Sequence, residues 1–208
     1  MKLVSKEHCF HCFDVIIAHL ESKLMKDVKH PVATFEDGAY PLFVTWLKND
    51  NDKGELHLRG CIGNFSAMPL RSGLTQYALL SAFNDHRFSP IEDEEIQALV
   101  CGVSLLHSFE DGDDYLDWEI GKHGIRIEFV DHHGRTLSST YLPEVALEHQ
   151  WTKEHAIRSL VRKGGFNGQV TDKFLRGVKL QRYQSDKLQV PFGEYKAHKS
   201  PRVNGFSH

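Results

Sequence analysis

The 208-residue sequence lacks the features of a secreted or membrane protein. Its first residues hold no apolar stretch typical of a secretory signal, and no apolar run approaches the roughly 20 residues of a membrane-spanning helix. Its four cysteines follow no such signal. These absences predict an intracellular protein of the cytoplasm or nucleus, with free thiols and no membrane partner.

A concentrated excess of basic residues is also missing. The 25 lysines and arginines are outnumbered by 28 acidic residues, which gives a formal net charge of −3. Proteins that bind nucleic acid usually need a basic face to offset phosphate charge. We therefore expect no nucleic-acid partner.

The standard cofactor and metal motifs are absent as well. The sequence contains no dinucleotide glycine pattern, Walker loop, G-x-S-x-G elbow or H-E-x-x-H helix. Cys9 and Cys12 form a C-x-x-C, but Cys61 and Cys101 supply no second pair, so buried thiols are the better interpretation. The acidic run 110–119 departs from the calcium-loop pattern and is interpreted as a solvated loop. The sequence thus predicts no cofactor and no metal site.

What the sequence does contain is a series of helix and strand signals. Apolar residues three and four positions apart predict a helix after Ser5 and another over Pro69–Phe83. Between them, Tyr40–Lys48 and Glu55–Ile62 predict a β-hairpin. Further predicted elements are a helix capped by Ser89, strands Val100–Phe109, Gly124–Val130, Arg135–Leu142 and Gly177–Gln184, helices Pro143–His149 and Thr152–Lys163, and a loose tail beyond about Lys196. This interspersed order predicts a mixed α/β fold of the α+β type, with antiparallel or mixed sheets flanked by helices.

The stretch Leu58–Gly63, LRGCIG, holds a cysteine between two glycines at the end of a predicted strand. With a period of two, Arg59 and Cys61 share a face roughly 6.6 Å apart, whereas His57 lies roughly 13 Å from Cys61 along the strand. His57 is therefore a poor candidate for the general base of this thiol.

Two interpretations of LRGCIG stay open at this point. Arg59, and the start of the Pro69 helix if a loop at 63–68 carries it over the sulfur, would favour a thiolate. Gly60 and Gly63 would let the backbone approach a ligand. The alternative is a buried, inert strand cysteine with glycines that mark a bulge.

A series of short blocks runs along nearly the whole chain, from about Val4 to His198. The blocks include Phe43–Trp46, the hexapeptide Leu58–Gly63, Arg87–Pro90, Tyr115–Glu119, Gly121–Ile125, Tyr141–Ala146 and Arg162–Phe166. In this order they resemble the AMMECR family, most closely its eukaryotic members. The resemblance implies one domain over residues 1–208 with two lobes and a cleft that the hexapeptide lines. The larger lobe would comprise roughly 1–90 plus 150–208, and the smaller roughly 91–149. It implies no established reaction.

The same resemblance nominates site residues. Arg59, Cys61, Arg87 and His123 would be polar members of the cleft, with Asp85 beside Arg87. His86 stands where the family usually has proline or a small residue, which is a departure from the pattern. His123 is a better partner for Cys61 than His57, because a Cys/His pair is assembled through space. A turn residue whose ring caps a strand end is an equally good interpretation of His123.

Two functions follow from these residues. The first is an enzyme with Cys61 as nucleophile or redox thiol, His123 as acid/base and Arg59 with Arg87 as clamps for a small anionic or peptide-like substrate. The second, which we favour, is a binding or scaffold module that holds a protein partner or small molecule in the cleft or at the acidic loop 110–119. The oligomeric state stays open.

Overall fold

A computed structural model describes residues 2–22, 31–49 and 55–200. These residues form six α-helices, one 3-10 helix and six strands. In chain order they are α1 (Lys6–Ser22), β1 (Ala39–Asn49), β2 (Leu56–Pro69), α2 (Leu70–Phe83), the 3-10 helix (Asp93–Ala98), β3 (Leu99–Asp111), β4 (Gly124–Val130), β5 (Thr136–Tyr141), α3 (Pro143–Glu148), α4 (Lys153–Lys163), α5 (Asp172–Leu175), β6 (Lys179–Pro191) and α6 (Phe192–Lys199). None of the helices described is long and apolar enough to cross a bilayer.

The strands follow the order β2-β1-β3-β6-β4-β5. β1 pairs antiparallel with β2 and β3, and β4 pairs antiparallel with β5 and β6. The predicted hairpin and the predicted mixed α/β class are therefore confirmed.

The chain divides into two compact units. The first unit comprises Met1–Leu105 and Asp186–His208, and the second comprises Leu106–Ser185. β3 and β6 each run from one unit into the other. The lobe bounds predicted from the sequence differ from these, and that division of the chain stays a prediction.

The core of the first unit is built on the predicted apolar face of α1. Cys9, Cys12 and Phe13 are wholly buried there, together with Trp46 of β1 and Cys101 of β3. Burial, followed by hydrogen bonds with the two α1 thiols, raises the pKa of Cys101. The prediction that Cys9 and Cys12 are buried is confirmed, whereas Leu24, placed on the same face, lies outside the described residues.

The second unit packs α4 against β4. Alternate residues of β4 point inward, and α4 covers them with the apolar stripe Ala156, Ile157, Leu160 and Val161. α4 begins where the sequence predicts, because the Thr152 hydroxyl accepts the N–H of His155 (3.1 Å).

The C-terminal part of the first unit corrects one expectation. The predicted loose tail begins at about Lys196, but α6 extends to Lys199, whereas the rest of that tail, residues 201–208, lies outside the described residues. The buried Tyr195 donates from its hydroxyl to Asp14 of α1 (2.8 Å), and Lys199 donates to the same carboxylate. The polar composition of this segment gave no sign of a helix, because α6 is stabilised by specific contacts with α1.

Two histidines of α1 are buried beside Phe35. The Thr75 hydroxyl donates to the carbonyl of Arg71, so it must accept from Nε2 of His11 (2.8 Å). Nδ1 of His11 is then a buried acceptor without a partner. Burial lowers the pKa of both His8 and His11 below the ordinary value.

We predict that the free energy of unfolding falls as the pH drops below about 6.5. A histidine whose pKa is lowered in the folded state binds its proton more readily in the unfolded state. Its contribution to the free energy of unfolding is therefore complete above the unfolded pKa and is lost as the pH falls below it. The free energy of unfolding is measured by urea denaturation between about pH 8 and about pH 5.5. Replacing His11 with phenylalanine should make its decrease with falling pH shallower, by up to about 1.4 kcal/mol per pH unit. The exposed His86→Gln variant is the control, and equal slopes in both variants would contradict the assignment.

Candidate functional site

The hexapeptide Leu58–Gly63 lies on β2, a strand at the edge of the sheet. The predicted strand ended at Ile62, but β2 continues to Pro69 and α2 begins at Leu70. Residues 63–68 are thus strand rather than loop, and extended chain separates Cys61 from the N-terminus of α2.

Both glycines of the hexapeptide lie at close backbone contacts. A Cβ atom on Gly60 would lie 2.0 Å from the carbonyl oxygen of Ser81 in α2. A Cβ atom on Gly63 would lie 2.3 Å from the carbonyl oxygen of Leu42 and equally close to the ring of Phe43. The packing of β2 on its neighbours therefore requires glycine at both positions.

Arg59 occupies a β-bulge. Trp46 of β1 pairs with Gly60 and Leu47 pairs with Leu58, which leaves Arg59 without a partner on β1. A bulge interrupts the alternation of side chains, so strand period alone does not place Arg59 relative to Cys61.

The guanidinium of Arg59 is almost fully engaged. Its Nε and Nη2 donate to the two oxygens of Glu95 (2.9 and 2.8 Å), and Nη1 donates to the carbonyl of Ser89 (2.7 Å). Glu95 also accepts from Lys48 (2.9 Å). The hydrogen bonds from Arg59, then those from Lys48, lower the pKa of Glu95 to about 2. The Arg59 side chain is only 11% exposed, so its charge is directed at Glu95.

The contacts of Arg59 also explain why the predicted Ser89 cap is wrong. Glu92 is the N-cap of the 3-10 helix, and Glu92 and Glu95 form its capping box. The carbonyls of Ser89 and Pro90 instead accept hydrogen bonds from Arg59. These bonds hold residues 89–90 outside the helix.

Asp85 and Arg87 bind the backbone of Cys61. The N–H of Cys61 donates to Oδ2 of Asp85 (2.9 Å), and Nη2 of Arg87 donates to the carbonyl of Cys61 (3.0 Å). The two side chains are joined by Nε to Oδ1 (2.9 Å) and Nη2 to Oδ2 (2.6 Å). Because β2 is an edge strand, this ion pair occupies the place of a neighbouring strand at Cys61.

The thiol of Cys61 faces Thr45 on β1. Since the backbone N–H and carbonyl of Cys61 are directed at Asp85 and Arg87, Thr45 and Cys61 form a non-hydrogen-bonded pair, in which side chains lie close. The Thr45 hydroxyl donates to Sγ (3.2 Å). Cys61 is half-buried, and this is the hydrogen bond that its sulfur makes within the described residues.

The carboxylate of Asp85 is stabilised in its charged form. Its hydrogen bonds with Arg87, then the N–H of Cys61, hold its pKa well below the usual range, and Asp85 in turn raises the pKa of Arg87. Three cations, Lys48, Arg59 and Arg87, meet two carboxylates, Asp85 and Glu95, in this region. Each of these two carboxylates is therefore held by at least one cation.

His123 belongs to the second unit. Its ring Nδ1 accepts a hydrogen bond from the backbone N–H of Glu119 (3.0 Å), and the backbone N–H of His123 donates to the Glu119 carbonyl (2.9 Å). Burial, followed by the charge of Lys122, lowers its pKa. These contacts are those of a ring that closes a turn before β4, and the predicted pairing of His123 with Cys61 stays a prediction.

Three residues of the site escape the sequence-based selection: Thr45, Lys48 and Glu95. The hairpin register would have placed Thr45 opposite Cys61, and the Glu92-x-x-Glu95 spacing is a capping-box signal. Across the described ranges, no group of three or more histidine, cysteine or acidic side chains is arranged to hold a metal ion.

We predict that Gly60→Ala lowers the free energy of unfolding by about 3 kcal/mol, because the added methyl group meets the backbone of α2. Gly102→Ala is the matched control, since its Cβ atom would have ordinary contacts of 3.5 Å. Urea denaturation measures both. Similar losses for the two variants would show that the close contact at Gly60 is not the cause.

We also predict that Asp85→Asn destabilises the first unit by about 2–3 kcal/mol. The two carboxylate oxygens accept hydrogen bonds from the Cys61 N–H and from Arg87, whereas an amide has only one acceptor oxygen for the same donors. Hydrogen exchange at the Cys61 amide should accelerate in parallel. Asp93→Asn, an exposed position in the same unit, is the control. Unchanged exchange at Cys61 would contradict the predicted role.

The comparisons with known proteins cover most of the chain. The AMMECR1 family model matches residues 9–188. An uncharacterised protein of Arabidopsis thaliana is 46% identical over 196 residues, which are 94% of this chain and 89% of that protein. An uncharacterised protein of Schizosaccharomyces pombe is 40% identical over 191 residues, 91% of this chain and 94% of its own length.

A solved structure shares the fold. The crystal structure of an uncharacterised protein from Pyrococcus horikoshii superposes with a TM-score of 0.69 at 23% identity, and the match covers 91% of this chain and 94% of the other. The biochemical function of the eukaryotic relatives is uncharacterised. The family match and the identities above 30% confirm the resemblance seen in the sequence: this chain belongs to the AMMECR1 family.

Proposed function

We propose that this protein is a binding module in which Arg87, beside Cys61, takes an anionic group of a protein partner, such as a side-chain carboxylate. One observation carries the proposal. Arg87 uses Nε and Nη2 on Asp85 and the Cys61 carbonyl, while Nη1 has no hydrogen-bond partner among the described residues. The side chain is 57% exposed, so Nη1 offers two fixed donors to a ligand.

The exposure of the Arg87 guanidinium supports an anionic ligand. Asp85 and Glu95 are already hydrogen-bonded to cations, while the Arg87 side chain still faces solvent. The Nε and Nη2 donors of Arg59 are occupied by Glu95, so of the two arginines predicted to bind an anion, we assign this role to Arg87.

The environment of the thiol favours binding over nucleophilic catalysis. A cysteine nucleophile is usually activated by a neighbouring base that removes its proton. The described partner of the Cys61 sulfur is the Thr45 hydroxyl, which donates a proton and is no base. The enzyme hypothesis, in which His123 would supply that base, is therefore the second candidate.

The proposal is tested with two acetylated and amidated tripeptides, Gly-Glu-Gly and Gly-Gln-Gly, titrated into isotope-labelled protein. We expect the glutamate peptide to shift the NMR signals of the Arg87 Nε–H and the Cys61 amide, and the glutamine peptide to shift them much less, because it lacks the charge that Arg87 would bind. Arg87→Gln should abolish the preference. Lys196→Gln, which removes an exposed positive charge from the same unit, should keep it.

Equal responses to the two peptides, or shifts confined to other surfaces, would refute the carboxylate site. Arg87→Lys gives a second variant should Arg87→Gln fold poorly, because it keeps the charge opposite Asp85 but lacks the guanidinium fork. The wild-type comparison of the two peptides stands without either variant.

The enzyme hypothesis has its own test. The rate of alkylation of Cys61 by iodoacetamide is followed against pH, with Cys61→Ala to identify the signal. Binding alone predicts a midpoint at or above the free-cysteine value of about 8.5. A midpoint well below it would favour an activated thiol and weaken the binding proposal.

We infer that the protein works in the cytoplasm or nucleus. All four cysteines are free thiols, and three of them are buried in the first unit. Unpaired thiols are typical of proteins in a reducing compartment. Localisation of a fluorescent fusion tests this inference, and a secreted product would overturn it.

A further inference from the structure

A cavity of about 650 Å³ lies in the second unit, outside the site at Cys61. One wall is the end of β3 and the segment after it, with Asp111, Asp113 and Asp114. The other wall is the segment that leads from α5 into β6, with Arg176 and Lys179. Its volume falls within the roughly 300–1,000 Å³ of sites that bind small organic ligands.

The acidic run 110–119 accounts for the negative wall, but only part of the run faces the cavity. Glu110 and Asp117 both accept hydrogen bonds from Arg182 of β6, and Glu119 accepts from Lys122. These three carboxylates are therefore hydrogen-bonded to cations within the second unit. The remaining three line the cavity.

The two walls carry opposite charges that do not pair with each other. Asp113 and Arg176 have no side-chain hydrogen bond or ion pair within the described part of the chain. Among the described residues, Lys179 reaches only Glu128, at 3.9 Å. The cavity thus presents exposed carboxylates on one wall and exposed cations on the other. A ligand with a positive and a negative end would satisfy both walls at once.

The floor between the charged walls is apolar. Val178 and Leu180 are buried and line the cavity, with Leu116 beside them. The N–H of Gly112 donates to the carbonyl of Leu180 (2.9 Å), which ties the two walls together. A side chain on Gly112 would lie 2.8 Å from the Leu180 side chain, so this junction is tightly packed.

We propose that this cavity binds a short peptide with free ends, its ammonium group at Asp113 and Asp114 and its carboxylate at Arg176 and Lys179. A tripeptide separates its charged ends by at most about 10 Å and offers an apolar side chain to the floor. A single-ended ion would leave one wall unpaired.

The test titrates the full chain with the tripeptide Ala-Leu-Ala by isothermal calorimetry and by NMR. The free peptide should bind, and either acetylation of its N-terminus or amidation of its C-terminus should weaken binding about three- to tenfold, the effect of one modest charge pair. Signals of residues 111–116 and 176–180 should shift.

Variants assign each end of the peptide. Asp113→Asn should reduce the penalty of acetylation and leave that of amidation, whereas Arg176→Gln should do the reverse. Glu148→Gln and Lys173→Gln remove exposed charges elsewhere in the second unit and should change neither. All four positions are exposed, so the variants are expected to fold, and thermal melts verify it.

Three results would overturn the proposal: no binding of the free peptide at millimolar concentration, equal affinity for the free and doubly capped peptides, or chemical-shift changes outside the cavity. Binding of the amidated peptide as tight as that of the free one would indicate a cation site and would also refute a ligand with two charged ends. The site at Arg87 is unaffected by any of these outcomes.

Discussion

The ion pair of Asp85 and Arg87 on the backbone of Cys61 organises the first unit around the hexapeptide. It joins two distant stretches of sequence through a carboxylate, a guanidinium, and the backbone N–H and carbonyl of one edge-strand residue. Edge strands expose unpaired N–H and carbonyl groups, and proteins need some device to cover them. Here the device is electrostatic, and it also leaves one arm of the guanidinium facing solvent. Covering the strand and presenting a donor to a ligand are therefore achieved by the same side chain.

Glu95 has the same relation to Arg59 that Asp85 has to Arg87. Each arginine is held by a carboxylate, but the pairs differ in exposure, since Arg59 is 11% exposed and Arg87 57%. The Arg59–Glu95 pair anchors the bulge of β2 to residues 89–95, whereas in the other pair Asp85 is buried and the Arg87 side chain faces solvent. The two arginines thus have different consequences for binding, because one guanidinium has used nearly all of its donors within the chain and the other has not.

Much of the fold could be predicted from local patterns, whereas the contacts of the site could not. Period and capping signals located α1, α2, α4 and the hairpin, since those elements depend on residues near in sequence. The Ser89 cap was wrong because Arg59, thirty positions away, competes for the carbonyls that would begin that helix. The family resemblance identified Asp85, Arg87 and Cys61, but their geometry depends on a bulge and a strand edge, which a linear pattern does not encode. α6 was missed because its single buried anchor, Tyr195, binds a residue of α1.

The close approach of Gly60 to α2 bears on how the hexapeptide should be interpreted. A position where any Cβ atom meets a backbone oxygen at 2.0 Å admits only glycine, whatever the protein binds. Steric selection of this kind would keep such a motif unchanged through long divergence even if its cysteine performed no chemistry. Invariance at Gly60 would then reflect the close packing of β2 on α2 rather than a role in chemistry. A search for activity should give more weight to positions where several side chains would fit but only one is found.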